Sequence, residues 1–450
     1  MKKQSIVIMV SCFSLFLNGG CGTKEERLRT DLWIVTVGGG GDDSAAAHVE
    51  VTGGGVTAAG ITNSFGSGKK DGWIAAADKE GLVLWQKAYG GIEDDLISSL
   101  KESADGGFLA AGRTANWGSG LEDMWIIRLD AGGSIAWQKV IGGERLDYAN
   151  SATQTSDGGI LVCGRTGSLE SDLDDGLVVK LDGGGELVWQ KAFKSDLFEE
   201  AYSIVENGDG DIIVFGNAGP QDNLDLWAAR LDASGNIQWQ KNVGGDEDER
   251  AVAMLIGSDG TVVMVGTTES FGAGASDIWV VRLDAGGSVL WQKTVGGDDD
   301  DFPGGAAITS DGGILVAGQT WSLTPDENEI YAFVLKLDAA GNILWQRNIG
   351  GNGIYEAHGV KESSGGMVTV TGKSLLDGSG NFDIFVARLE SMGSASIYCD
   401  LITDTGFEAV DSEGESWDGE AVAEETAFTL LASEAAALDT DAAAAFQCPL

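Results

Sequence analysis

The chain reads as an all-β protein, a seven-bladed β-propeller of four-stranded blades. Three observations predict it: a tryptophan recurring every 50 to 54 residues, four short β-like runs between successive tryptophans, and turn-forming residues at the joints. Trp-Gln-Lys or Trp-Gln-Arg places tryptophan at 85, 137, 189, 239, 291 and 345, in steps of 52, 52, 50, 52 and 54. Fifty-two residues before Trp85 stands Trp33, in Leu32-Trp33-Ile34-Val35-Thr36-Val37-Gly38-Gly39, which has the shape of Leu84-Trp85-Gln86-Lys87-Ala88-Tyr89-Gly90-Gly91. The units therefore number seven.

The unit that begins after Gly245 shows the four runs. Ala251 to Ile256 is a modest strand ending in Ser258-Asp259-Gly260, and Thr261 to Gly266 is β-branched. The third run is Asp277 to Asp284, and the fourth, after a glycine turn, is Val289 to Lys293. Asp-Gly at 105, 157, 259 and 311 supplies the positive backbone angles of a two-residue hairpin, and Gly133, Gly235, Gly287 and Gly341 do so between the third and fourth runs.

Composition sets the outer limits. A chain of 450 residues is too long for one ordinary core, and 43% hydrophobic residues exclude general disorder. Its 69 glycines and 4 prolines suit tight turns rather than collagen or a proline-rich linker. A formal charge of −42 repels phosphate backbones, so nucleic acid is excluded as a partner, while cations and basic partners are not.

Lys2 and Lys3 precede an apolar run from Ile6 to Leu17, shorter than the roughly 20 residues of a spanning helix and followed by Asn18-Gly19-Gly20-Cys21. This is an export signal. The small residues before Cys21 resemble the signal-peptidase site of bacterial lipoproteins, which implies acylation of Cys21 as the new N-terminus. Ordinary cleavage is the alternative, because Asn18 stands where that family has a branched apolar residue. Either outcome exports the protein, to the outer membrane or cell surface as a lipoprotein, or else to the periplasm or medium.

Trp-x-Lys-x-x-Gly-Gly, Asp-Gly-Gly followed by an apolar run and Gly-x-Thr, and Asp-x-Trp ending in Leu-Asp together resemble the tandem propeller repeats of bacterial secreted proteins and lipoproteins, over roughly residues 31 to 390. Leu-Asp-x-x-Gly-x-x-x-Trp is also similar to the tryptophan-docking repeat of quinoprotein dehydrogenases and outer-membrane assembly lipoproteins. Asp284 to Trp291 is one residue shorter than that motif and lacks its threonine, so neither a quinone nor an assembly role carries over. The resemblance implies a strand order in which the run after Gly-Gly is innermost and the tryptophan strand outermost. The last unit supplies three strands, about Val360, Met367 to Thr371 and Asp383 to Leu389, and the orphan strand around Trp33 completes it as a three-plus-one clasp. Ile397-Tyr398, 52 residues after Trp345, is the rival outer strand.

Two sets of residues invite a chemical reading. Ten residues after each repeat tryptophan comes a carboxylate: Asp43, Asp95, Asp147, Glu199, Glu249 and Asp301, with Glu356 one place later in the seventh unit. On the implied strand order they form a ring near the channel mouth, where calcium would find oxygen ligands. The simpler reading is hydrogen bonding to loop amides. Among the tryptophans, the repeat position and the second set, Trp73, Trp125, Trp227 and Trp279, suit packing between blades. Trp117 and Trp321 fall instead in the loops after Gly-x-Thr and are the candidate ligand contacts. Asn207-Gly208-Asp209-Gly210-Asp211 begins like a calcium loop but lacks the later glutamate and reads as a hairpin. No nucleophile elbow, zinc-type histidine cluster or phosphate loop appears, and His48 and His358 are isolated in sequence, so the chain does not read as an enzyme.

Cys163, within Ile160-Leu161-Val162-Cys163, reads as a small buried hydrophobe. Cys399 and Cys448 bracket a tail with thirteen acids and no lysine or arginine from residue 391 to 450, and a Cys399–Cys448 disulfide would fold it back on the ring. Asp400 to Glu420 shows no clear period, and Glu424 to Phe446 is alanine- and leucine-rich enough for a helix. The domain reading is then a signal peptide over 1–20, a linker over 21–30, the propeller over 31–390 and an acidic appendage over 391–450. The expected function is a non-catalytic binding or scaffold module for protein or glycan at the bacterial cell envelope. The alternative is a calcium-dependent carbohydrate-binding or hydrolytic propeller.

Overall fold

The computed structural model describes residues 34–389 apart from 170–172, 195–196, 323–328, 351–352, 364 and 377–381, together with seven short strands between 402 and 446. All regular structure among these residues is β. Seven antiparallel sheets form the blades of a propeller. In the fifth blade the strands run, from the axis outward, Glu249–Ile256, Val262–Thr268, Asp277–Leu283 and Val289–Gly296. The innermost strands touch their neighbours all the way round, from Asp43–Glu50 to Gly353–Glu362 and back. Each carries a bulge after its opening residues, as between Ile97 and Ser99, which adds twist where the strands crowd the axis.

The core lies between blades rather than within them. Each sheet is apolar on both faces and buries them against the sheets on either side. Leu109 and Ala111 of the second blade, for example, pack with Ala149, Val162 and Leu177 of the third. Trp73, Trp125, Trp227 and Trp279 are fully buried in this way. The outer tryptophans reach across a junction to the next blade's turn: a Cβ on Gly287, whose φ is +84°, would lie 3.1 Å from the Trp239 ring. Glycine there answers both the left-handed backbone and the close approach of an aromatic face. The hairpin aspartates are held by the last basic residue of the third strand, as in Arg128–Asp105 at 2.6 Å, Arg282–Asp259 at 3.2 Å and Lys336–Asp311 at 2.7 Å.

The ring closes as the strand count predicts. Ile34–Gly38 is the fourth strand of the last blade, antiparallel to Asp383–Leu389 with Val35 opposite Val386. Trp33 and the rival pair Ile397-Tyr398 lie outside the described residues. Seen down the chain, the loops between second and third strands and the links from outer to inner strands share one face, and the tight hairpins occupy the other.

The tail departs from expectation. The helix expected over Glu424 to Phe446 is not formed; that stretch contains the strands Thr429–Ala432, Ala436–Asp439 and Ala443–Phe446. With Ile402–Asp404, Glu408–Asp411, Glu415–Asp418 and Val422–Glu425 they add a fifth, outermost strand to every blade, visiting blades six, five, four, three, two, one and finally seven. Seven open outer edges offer backbone partners to an extended segment, and that tertiary gain overrides the helix propensity of alanine and leucine. Cys399 and Cys448 lie outside the described residues.

Because the Trp279 ring is fully buried in the junction between the fourth and fifth blades, Trp279→Ala is expected to lower stability by about 3–5 kcal/mol. Urea unfolding followed by tryptophan fluorescence checks this; a loss under about 1 kcal/mol would contradict the packing role.

Candidate functional site: the blade junctions and the channel mouth

The carboxylates predicted as a ring stand at corresponding positions in six blades. Asp43, Asp95, Asp147, Glu199, Glu249 and Asp301 are all no more than 1% exposed, at the start of their innermost strands. Their backbone N–H groups tie each blade to the one before: Asp43 donates to Phe382 O, Asp95 to Lys70 O, Asp147 to Glu122 O, Glu199 to Asp174 O, Glu249 to Leu224 O and Asp301 to Ser276 O, at 2.6–3.0 Å. In the seventh blade the corresponding donor is Tyr355, to Ile330 O at 2.8 Å. Glu356 therefore does not belong to the ring. It stands one residue along, opposite Lys373 in register and 2.9 Å from its Nζ. Burial raises its pKa, but hydrogen bonds from His358 and Lys373 outweigh this and hold Glu356 below the usual range.

The side chains of the ring organise the loops. The second glycine of Gly-Gly donates its N–H to the carboxylate four residues on, as in Gly39 to Asp43, Gly91 to Asp95, Gly143 to Asp147 and Gly297 to Asp301, each at 2.8 Å. A side chain two residues beyond Gly-x-Thr adds a second donor: Ser64 to Asp43 at 2.7 Å, Asn116 to Asp95 at 2.6 Å, Ser168 to Asp147 at 2.7 Å and Ser322 to Asp301 at 2.8 Å. The threonine itself donates to Asp43 from Thr62 at 2.5 Å and to Glu249 from Thr268 at 2.8 Å. Thus the Gly-Gly and Gly-x-Thr motifs, far apart in each unit, converge on one carboxylate.

A second carboxylate, not singled out in the sequence, opens the third strand: Asp71, Asp123, Asp175, Asp225 and Asp277, all buried. Four of them, all but Asp175, meet the ring carboxylate of the following blade at the first glycine of Gly-Gly. A Cβ on Gly142 would lie 1.9 Å from Asp123 Oδ1 and 2.8 Å from Asp147 Oδ2. On Gly244 it would lie 1.5 Å from Asp225 Oδ1 and 2.8 Å from Glu249 Oε2. Only a residue without a side chain leaves room for both. The signal was present in the sequence as Asp-x-Trp, 24 residues before Asp95, Asp147, Glu249 and Asp301, but the aspartate is overshadowed there by its tryptophan. Asp123 Oδ1 and Asp225 Oδ1 are buried with no hydrogen-bond partner among the described residues.

Burial and a like charge alongside disfavour ionisation. Desolvation, then the Glu249 and Asp248 charges, push Asp225 up to about 7. Desolvation first and the neighbouring ring carboxylate second or third push Asp71 and Asp123 to about 6, and burial is the main cause of a similar rise at Asp301. Among the described residues no group of three or more His, Cys, Asp and Glu side chains gathers as a metal cage. The arrangement is a set of paired acids in which burial favours the protonated form at Asp71, Asp123, Asp225 and Asp301.

The tryptophans proposed as ligand contacts are half-buried. Trp117 lies 5.8 Å from Trp125, as Phe65 lies on Trp73 and Phe271 on Trp279, so it holds a repeat packing position. Trp321 packs edge-on to Phe302 at 5.7 Å. Cys163 is a free thiol, fully buried. The two histidines, isolated in sequence, both lie at the closing junction: a Cβ on Gly359 would lie 2.2 Å from His48 Nδ1, and His358 Nδ1 contacts Ala45 O.

Sequence reading missed a cation–aromatic stack between the second and third blades, on the face that carries the longer loops. Arg113 of the second blade and Arg165 of the third stack on Tyr148, with guanidinium carbons 4.3 and 4.5 Å from the ring centre. Acids frame the stack: Glu122 is 3.5 Å from Arg113, and Asp174 and Glu200 are 3.1 and 3.7 Å from Arg165. These residues come from neighbouring blades, so no local pattern announces them. A cleft beside them, lined by Ile61, Lys70, Asp94, Leu96, Arg113 and Glu122, holds about 80 Å³, below the roughly 300 Å³ of small-molecule sites.

The raised carboxylates fix the sign of a pH effect. Each has a higher pKa folded than unfolded, so between about pH 4 and 7 the folded state binds more protons and stability falls as pH rises. Asp225→Asn removes one such group and is expected to flatten this part of the curve and raise the melting temperature at pH 8. A variant that melts lower at pH 8 with an unchanged slope would refute the raised pKa of Asp225.

No protein-family model matches the chain, and no curated protein matches it. Solved structures similar to it include Sqt1 of Chaetomium thermophilum bound to the N-terminus of ribosomal protein L10, at 13% identity and TM-score 0.42 over 79% of this chain and 98% of that one. An ulvan lyase of polysaccharide lyase family PL25 matches at 11% identity and TM-score 0.49, over 80% and 96%. A puromycin hydrolase matches at 13% identity and TM-score 0.42, over 78% and 53%. Likenesses of this size carry no argument about what the chain does.

Proposed function

We propose that the protein is an exported, lipid-anchored, non-catalytic propeller that serves as a binding or scaffold module at the bacterial cell envelope, with a protein partner on the loop face. The observation that carries the reading is the Arg113–Tyr148–Arg165 stack on the loop face, between the second and third blades. It gathers cations and an aromatic ring on one face of a chain whose net charge is −42. Nearby on that face, Ile92 is 73% and Leu121 is 68% exposed. Arginine and tyrosine beside exposed apolar residues are the composition of protein-binding hot spots. The acids near the stack pair with its arginines, and Glu200 also accepts from Asn150 and Tyr202, so they suit side-chain positioning better than acid–base catalysis. Membrane attachment rests on Cys21 and the apolar run before it.

A photo-crosslinking residue placed at Leu121 is expected to trap a protein adduct in intact cells, whereas one at Gly208, on the hairpin face, is not. Cys21→Ala is expected to abolish fatty-acid labelling and move the protein out of the membrane fraction. Adducts from neither face, with Cys21 unlabelled, would refute both halves of the proposal.

A second reading, calcium-dependent glycan binding or hydrolysis, is favoured by the unpartnered oxygens of Asp123 and Asp225 beside a second carboxylate. Calcium would need further oxygens from backbone or water there. At constant ionic strength, calcium at low-millimolar concentration would then raise the melting temperature selectively over magnesium, and Asp225→Asn would reduce the rise. No selective change would eliminate this reading.

A further inference from the structure

The five-stranded blades have a feature that belongs to neither the junctions nor the arginine–tyrosine stack. The seven tail strands end at residues 404, 411, 418, 425, 432, 439 and 446, an unbroken step of seven. The same period is visible in the sequence once it is set against the blades: Thr403-Asp404, Val410-Asp411, Trp417-Asp418 and Leu438-Asp439 recur in phase. Seven residues at about 3.3 Å each reach about 23 Å, enough to pair four residues with one blade and pass to the next.

Register turns the period into a charge pattern. The last residue of each tail strand stands opposite the basic residue of Trp-Gln-Lys or Trp-Gln-Arg: Asp439 opposite Lys87, Glu425 opposite Lys191 and Asp418 opposite Lys241. Asp411 stands opposite Lys293 and Asp404 opposite Arg347. The two exceptions follow the same logic. The seventh blade has Val35 where the others have a base, and the tail offers Phe446 opposite it. The second blade has Lys139, which already pairs with Glu186 at 2.9 Å, and the tail offers Ala432. Thirteen acids without a base would be repelled by so acidic a chain everywhere except along this basic rim.

We propose that the rim of the propeller is a binding site for an acidic extended strand of seven-residue period, and that residues 402–446 are its built-in ligand, held in register by acid–base pairs across the outer strands. Backbone pairing fastens the belt, and the charges select which residue meets which blade. The belt starts on the sixth blade and ends on the seventh, beside Ile34–Gly38, so it encircles the ring once and covers the N-terminal strand of the clasp.

The test uses the full chain with a site-specific protease sequence inserted among residues 391–400, then cut. Size-exclusion chromatography with light scattering is expected to show the tail retained at about 50 mM NaCl on a particle of one-copy mass, and released as salt approaches about 1 M, where screening acts within about 3 Å. The double reversal Asp411→Lys with Asp418→Lys is expected to lower the salt needed for half-release several-fold, and Lys293→Glu with Lys241→Glu to restore it, each variant first shown to retain the β circular-dichroism spectrum. Release at 50 mM, retention indifferent to salt and reversal, or a retained particle of two-copy mass would each overturn the proposal, the last by assigning the rim to the tail of a second copy.

Discussion

A β-sheet must pair or cover its strand edges, and every distinctive feature of this chain answers that constraint. Blades radiating from an axis have inner edges and outer edges. The inner edges are met by one hydrogen bond repeated at all seven junctions, from the residue that opens each inner strand to a carbonyl just before the preceding blade's third strand. The outer edges are met by the tail, one strand per blade. The termini serve this purpose too, since the first described strand and the last lie side by side in the seventh blade.

The junction hydrogen bond works only if the loops around it hold still, and that explains why so acidic a protein keeps a dozen or so acids out of water. Asp43, Asp95, Asp147 and Asp301 each gather donors from the glycine link before them and from the loop after Gly-x-Thr, setting two connections at once. The third-strand aspartate brings a second carboxylate to the same glycine, and burial together with that neighbouring charge raises its pKa, to about 7 at Asp225. The first glycine of Gly-Gly is thus a packing requirement, whereas the second is a hydrogen-bond donor.

Where the repeat departs from its pattern, the chain is asymmetric in a useful way. Tyr355 replaces the ring carboxylate in the last blade, Glu356 turns to Lys373 and His358, and both histidines lie at the closing junction. The stacked Arg113, Tyr148 and Arg165 likewise occupy a face whose other blades carry different residues, such as Asn217 and Gln319 at the positions of the arginines. A sevenfold scaffold therefore presents a face that is not sevenfold.

The sequence by itself determined the number of blades, the four strands of each, the turn positions and the N-terminal clasp. Those signals are local: short apolar runs, an Asp-Gly turn and a tryptophan period near 52 survive without knowledge of what lies across a junction. Only the tertiary structure decided the pairing of Asp123 with Asp147, the shared junction of His48 and His358, the arginine–tyrosine stack and the path of the tail. Each of these joins residues from different blades, and distance along the chain carries no record of that neighbourhood. The tail is the clearest case. Its alanines and leucines favour a helix in isolation, its seven-residue step has meaning only beside seven blades, and the hydrogen bonds of seven open edges outweigh a helix propensity worth a few tenths of a kcal/mol per residue.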